Sequence, residues 1–211
     1  RLFVCFYCIY NGCICDLSTT EIHTTHPALA ATDTSSSLEL WIAEEDRINR
    51  RLLAGAGPGV ARPEQIAHMT GLEQMQAMLR GELPYAAIAK TLDFLIMEAE
   101  LGRALFQGTP RAEHLNPMGG VHGGWFATLL DSALGCSIHT MMQPGRGYTT
   151  AELGINMVRG ITPKVGRVRD EGKDIHCGRQ LATAEARLVG PDGILYAHAT
   201  TTCLVFDLPK R

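Results

Sequence analysis

The stretch from Asn116 to Asp131, NPMGGVHGGWFATLLD, gathers residue types that acyl chemistry can use. A loop of small residues (Asn116, Pro117, Gly119, Gly120) leads into His122, Gly123 and Gly124, and an apolar run of helical character then carries one acid, Asp131. The first N–H groups of a helix have no acceptor of their own, and glycine there lets a reacting carbonyl approach bare backbone. That is an oxyanion hole in outline. A carboxylate among Trp125, Phe126, Leu129, Leu130, Ala133 and Leu134 is unfavourable to bury unless something uses or satisfies it.

Gly123 and Asp131 are eight residues apart. On one helix that is a rise of about 12 Å, so the amide and the carboxylate of a single copy cannot flank one small reacting group. Two copies can. With the helices antiparallel across a two-fold axis, the N-terminus of one lies beside the acid of the other, and the dimer holds two identical composite sites. Spacing alone fits equally well a core helix with a glycine-rich start, its Asp hydrogen-bonded to a neighbouring loop.

Asn116-Pro117, His122-Gly123-Gly124 and Leu130-Asp131-Ser132-Ala133 together resemble the signature of the hotdog-fold thioesterases, in particular the phenylacetate-pathway (PaaI-like) branch. The likeness runs from about Thr70 through Phe206. It takes in GELP (Gly81 to Pro84), GYTTAEL (Gly147 to Leu153), HCGR (His176 to Arg179), ATAEARL (Ala182 to Leu188) and AHATTTCLVF (Ala197 to Phe206). A bare HGG is a weak signal; Asn six residues before that His and Asp nine after it, with the flanking blocks in order, is a strong one.

The resemblance implies an α+β hotdog fold, an antiparallel sheet wrapped around one long central helix. It also implies an acyl-CoA thioesterase that hydrolyses a thioester to free acid and CoA. Such chemistry needs a positioned nucleophile and a polarised carbonyl but little help to the leaving group, because a thiolate departs readily. Asp131 is then the general base for water or the direct nucleophile, the Gly123 amide polarises the carbonyl, and Asn116 orients the carbonyl or the water. Thr150 matches a hydroxyl that holds the water in some relatives, with Thr149 on the opposite strand face as the competing residue. His122 and Gly124 take supporting, substrate-binding places, and Arg179 of HCGR reaches for CoA phosphates. No cofactor beyond the CoA thioester substrate and no metal are implied, and the assembly expected is a homodimer or homotetramer. Fold does not fix function, so a hotdog module that binds acyl-CoA without turnover is the alternative; it would need no acid beside the carbonyl. A dehydratase on the same fold would want a His and an acid working as a pair, which the His122 to Asp131 spacing does not provide within one chain.

Composition narrows the partners. The chain has 211 residues and a net charge of −3, with charges interspersed, so nucleic acid and anionic membrane surfaces are disfavoured. No apolar run approaches the eighteen or so residues of a spanning helix. Cys136, Cys177 and Cys203 are scattered, as reduced thiols would be, and a cytoplasmic location is expected. Neither Ser132 nor Ser137 sits in a G-x-S-x-G elbow, and GITPKVGR lacks the Lys-Ser/Thr ending of a phosphate loop. His139, His176 and His198 show no metal-ligand spacing.

Residues 1–63 read as an N-terminal extension and 64–211 as the hotdog domain. Within the extension, residues 1–37 contain Cys5, Cys8, Cys13 and Cys15 and then a Thr/Ser-rich run without periodicity. A signal peptide and a cysteine metal clip compete there with an unstructured or non-native leader, the favoured reading. A helix is predicted over about 38–53, capped by Ser37 and with Leu40, Ile48 and Leu52 on one face, followed by a breaker-rich linker over 55–63. Next come a short helix capped by Thr70, a hairpin (93–98 and 103–108), the central helix (about 123–141) and strands at 148–158, 167–177, 179–189 and 194–206. Alternation puts Val168, Asp170, Gly172, Asp174 and His176 on one face of the second of these strands. Two acids there depart from the resemblance, as does Gly160, where relatives commonly have Pro; pairing of Asp174 with His176 is one way out.

Overall fold

Small residues on one face of the sheet let a helix lie directly upon it. The computed structural model describes residues 34–209. Its elements are α1 (Thr34–Ala54), α2 (Pro63–Ile66), α3 (Gly71–Leu79), α4 (Ala87–Thr91), β1 (Phe94–Glu100), β2 (Arg103–Gly108), α5 (Gly123–His139), β3 (Arg146–Met157), β4 (Val168–Cys177), β5 (Leu181–Val189) and β6 (Leu195–Asp207). The six strands form one sheet in the order β1-β2-β4-β5-β6-β3, and every neighbouring pair is antiparallel. This is the predicted α+β arrangement of one sheet around one long helix.

α5 presses against β4, with β2 and β5 to either side. Ala182, Ala184, Ala186 and Leu188 of β5 and Ala197, Ala199, Thr201 and Cys203 of β6 are all buried on the helix-facing side. Two glycines bring the helix closer still. A Cβ at Gly172 would lie 2.2 Å from the Ala133 carbonyl oxygen, and one at Gly108 would lie 2.8 Å from the Trp125 ring. In return Leu129, Leu130, Leu134 and Ile138 are fully buried, each contributing about 1.5–3 kcal/mol. α5 stops at His139, two residues earlier than predicted, where the Thr140 hydroxyl donates to Ser137 O (2.6 Å) and accepts from Gly102 N–H (2.8 Å), tying the helix end to the β1–β2 turn.

α1 is longer than predicted and begins at Thr34, so Ser37 lies within it. Ile48 and Leu52 are buried, but Leu40 is 69% exposed. Trp41 shares their face instead, because seven and eleven residues complete nearly whole numbers of turns. The helix covers the side of the sheet away from α5. There Gln107 Nε2 donates to Trp41 O (3.0 Å) and Glu45 (2.5 Å), Arg169 ion-pairs with Glu44 and lies over the Trp41 ring, and Arg167 ion-pairs with Glu45. The segment after α1 is held as well: Ala56 N–H donates to Gly81 O, Gly59 N–H to Tyr85 O, and Tyr85 N–H to Gly57 O. Cys5, Cys8, Cys13 and Cys15 lie outside the described residues, as does the leader except for its last four residues.

Bulges correct the predicted strand faces. In β4, Asp174 pairs with Ala184 and His176 with Thr183, so Ile175 is extra and His176 turns to the opposite face from Asp174. The suggested Asp174–His176 pair is therefore not made through a shared face, and Asp174 Oδ1 is buried without a partner. Asp170 does face the helix side. It is fully buried opposite Phe106 and Leu188, and neither of its oxygens has a hydrogen bond.

Candidate active site

The loop before α5 is built by its own side chains. Asn116 Oδ1 accepts from Met118 N–H (2.9 Å) and Gly120 N–H (3.2 Å), while His122 N–H donates to His114 O (2.8 Å) and Val121 N–H to Ile161 O (3.0 Å). The oxygen of Asn116 is thus occupied in shaping the loop. His122 is the N-cap, and its Nδ1 accepts from Gly124 N–H at 2.8 Å. This takes up the Gly124 amide, assigned to substrate from the sequence. The Gly123 N–H, at the first position of the helix, remains a donor with no intrahelical acceptor.

Eight residues on, Asp131 is half-buried, and its Oδ1 accepts from Thr150 Oγ1 at 3.1 Å. A bulge at Ala151 separates the two halves of β3, whose first half decides between the two threonines. Thr150 pairs with buried Cys203 and so faces the helix, whereas Thr149 pairs with exposed Leu204 and faces away.

Asp131 and Thr150 form one wall of a cavity of about 180 Å³. The helix contributes Ser132, Gly135 and Cys136, of which Gly135, four residues beyond Asp131, lies on its face. Tyr148, two residues before Thr150, comes from β3; its hydroxyl lies 3.1 Å from where a Cβ on Gly135 would stand. The rest of the lining is apolar, with Phe94 and Phe106 in an edge-to-face pair (6.1 Å) and Met78, Tyr85, Ala86 and Ala89 from the segment before β1. Burial, and then the Asp131 charge, push the Cys136 thiol up to about 12, so it stays protonated at neutral pH and is no nucleophile. Burial likewise holds the Tyr148 phenol well above its usual range, as a neutral hydroxyl.

Arg179 is not in this cavity. It lines a separate cleft of about 340 Å³ with Arg146, Met141, Met142 and Cys177. Arg146 there donates to Asp207 and to the Arg179 carbonyl, fastening the β4–β5 turn to the ends of β3 and β6. Among the described residues, no three His, Cys, Asp or Glu side chains converge on a metal-sized site, and no helix is long and apolar enough to cross a membrane. The sequence reading missed the cavity wall of Tyr148, Cys136, Phe94 and Phe106. Its strand part carried a signal, since Tyr148 stands two residues before Thr150 on the same face of β3. The aromatic part carried none, because an inward Phe on a strand reads as core.

A profile of the thioesterase superfamily matches residues 118–197, which include Gly123, Asp131, Thr150 and Arg179. No curated protein sequence matches the chain. Among solved structures, a phenylacetic acid degradation-related protein from Ralstonia eutropha JMP134 is 28% identical, with a TM-score of 0.57, over 62% of this chain and 98% of that one. A mutant of the phenylacetic acid degradation protein PaaI from Thermus thermophilus is 25% identical, with a TM-score of 0.51, over 56% and 96% of the two chains. A hypothetical thioesterase protein from Streptococcus pneumoniae TIGR4, crystallised with coenzyme A, shares the fold at 21% identity and a TM-score of 0.52, over 58% and 94%. The chain thus has the hotdog fold, and residues 118–197 within it match the thioesterase superfamily, with PaaI-type proteins among its structural neighbours.

Proposed function

We propose that this protein is an acyl-CoA thioesterase working at the Asp131 carboxylate, in a site completed by a second copy of the chain. One observation carries the reading: a carboxylate hydrogen-bonded to a threonine hydroxyl in the wall of an otherwise mostly apolar cavity, within the superfamily-matched segment. The acyl group occupies the cavity, so its thioester carbonyl comes to Asp131. Water held by Thr150 attacks the carbonyl carbon while its proton passes to Asp131. The oxyanion that forms is stabilised by the Gly123 N–H of the second copy, since the same chain's amide is about 12 Å along the helix. Collapse breaks the C–S bond, and the proton held by Asp131 goes to the departing thiolate, giving free acid and CoA. Written as direct attack by Asp131, the same geometry passes through an acyl-aspartyl anhydride that water then cleaves. The Asn116 NH₂ group holds the carbonyl or the water, and Arg179, outside the cavity, meets the phosphate-bearing end of CoA.

Asp131→Asn keeps the shape of the side chain and removes the base. Turnover of an acyl-CoA should fall by at least about two orders of magnitude while binding of the same thioester persists. Near wild-type turnover in that variant would overturn the mechanism, and a wild type that binds acyl-CoA but releases no thiol would leave only a binding module.

A further inference from the structure

We infer that the α3–α4 segment is the specificity element of this site: Met78, Tyr85, Ala86 and Ala89 form a fixed wall that admits a compact acyl group and shuts out long fatty chains. The inference rests on the thioesterase reading for what fills the cavity.

Size comes first. The part of the cavity that one copy bounds is partly open to its surroundings and measures about 180 Å³, close to the roughly 150 Å³ of an apolar cavity that holds benzene and below the roughly 300–1,000 Å³ occupied by drug-sized ligands. A ring or a short chain fills it. Rigidity comes second, because a wall that swings away would not select. α3 is fixed at its start by a reciprocal cap: Thr70 Oγ1 accepts from Glu73 N–H (3.2 Å), and Glu73 Oε2 accepts from Thr70 N–H (2.7 Å). Its first residue is pressed onto the end of α5. Gly71 N–H donates to Met142 O at 2.8 Å, and a Cβ on Gly71 would stand 1.7 Å from His139 O. Gln74 Oε1 meets His139 Nε2 at 3.2 Å. Beyond α3, Tyr85 is 4% exposed and pinned through both its N–H and its carbonyl to the segment after α1. These wall residues all precede the superfamily-matched segment. The α3–α4 side of the cavity therefore lies outside the segment that carries Asp131 and Thr150.

The test is chain-length dependence in the wild type, Met78→Ala and Ala86→Phe. Met78 is only partly buried and Ala86 is exposed, so neither change should unfold the protein. Hydrolysis (kcat/KM) is measured for acyl-CoA thioesters from acetyl to palmitoyl, and Kd by calorimetry for the matching non-hydrolysable thioethers. The wild type should show a break after compact acyl groups, with kcat/KM falling about tenfold or more per further methylene. Met78→Ala should move that break to longer chains by roughly the three heavy atoms it removes, and Ala86→Phe to shorter ones. A flat wild-type profile through palmitoyl, or a break that neither variant moves, would overturn the wall while leaving the thioesterase reading in place. If no thioester is hydrolysed, that reading fails by itself. A break in thioether Kd that moves with Met78→Ala would then still uphold the wall, and a flat Kd series would overturn it.

Discussion

Replacing Asp170 with valine should stabilise the protein, and by more as the pH rises. The carboxyl is fully buried on β4 between Phe106 and Leu188, and neither oxygen has a partner. Removing an unsatisfied buried polar group is worth on the order of 1–3 kcal/mol even when the group is neutral. Burial, helped by the neighbouring Glu171 charge, holds the Asp170 carboxyl well above the usual carboxylate range. Its folded pKa therefore exceeds the unfolded value of about 3.9. For a raised acid, the native state keeps a proton that the unfolded chain releases. Wild-type stability is then fully present below pH ~3.9 and lost at about 1.4 kcal/mol per pH unit as the pH climbs towards the folded pKa. The valine variant has no such slope. Denaturant unfolding of both proteins at several pH values from about 4 to 8 should give a gain of roughly 1–3 kcal/mol at the acid end, widening towards neutrality, with m unchanged. In a melting experiment each kcal/mol is worth about 2–4 °C for a chain of this size. A variant less stable than wild type, or a gain that does not change with pH, would refute the argument, because either result means that Asp170 is hydrated or paired.

Two further outcomes test the site. Thr150→Val should lower turnover by about tenfold through loss of the 3.1 Å contact to Asp131, a net hydrogen-bond effect of roughly 1.5 kcal/mol; Thr149→Val, on the outer face, should leave kcat/KM unchanged, and equal losses in the two would remove Thr150 from the site. Mixing Asp131→Asn chains with Asn116→Asp chains, the latter keeping the oxygen that shapes the loop, should restore roughly a quarter of wild-type activity once subunits exchange, because about half the dimers are mixed and each has one intact site; verified exchange with no recovery would mean that both residues serve one site from the same chain.

The candidate site stood out in the sequence more clearly than the edges of the elements did. His122, Gly123 and Asp131 stand out because a glycine-rich helix start and a lone acid on an apolar helix are local patterns. β5 and β6 were readable because strict alternation of small apolar and polar residues leaves one register that buries the alanines. Bulges defeat that logic. Ile175 adds one residue to β4 and sends His176 to the far face, and Ala151 does the same in β3, where Thr150 and Leu153 share a side despite odd spacing. A bulge has no residue signature of its own, since it is defined by what the neighbouring strand does. The Leu40 assignment failed for a different reason: α1 packs through Trp41, Ile48 and Leu52 together with polar partners on β2, on β4 and just before β4, and no period within the helix reveals Gln107, Arg167 or Arg169 waiting far along the chain. Arg179 belongs to one of the resembling motifs yet faces another cleft, because the β4–β5 turn carries it to the far end of α5.

The helix that grips the back of the sheet also sets how far the chain can be shortened. Leu95 and Leu105 are buried on that outer face beside Gln107, and Arg167 and Arg169 are largely covered there with Glu44 and Glu45 as counter-ions. A fragment beginning at residue 64, or at the superfamily match itself, would carry two uncompensated guanidinium groups and an uncovered leucine surface next to the β1 edge. Such a surface invites association with other molecules of the same kind. A fragment that keeps Arg167 and Arg169 paired therefore has to include the Trp41–Glu45 turn of α1, well upstream of the superfamily-matched segment.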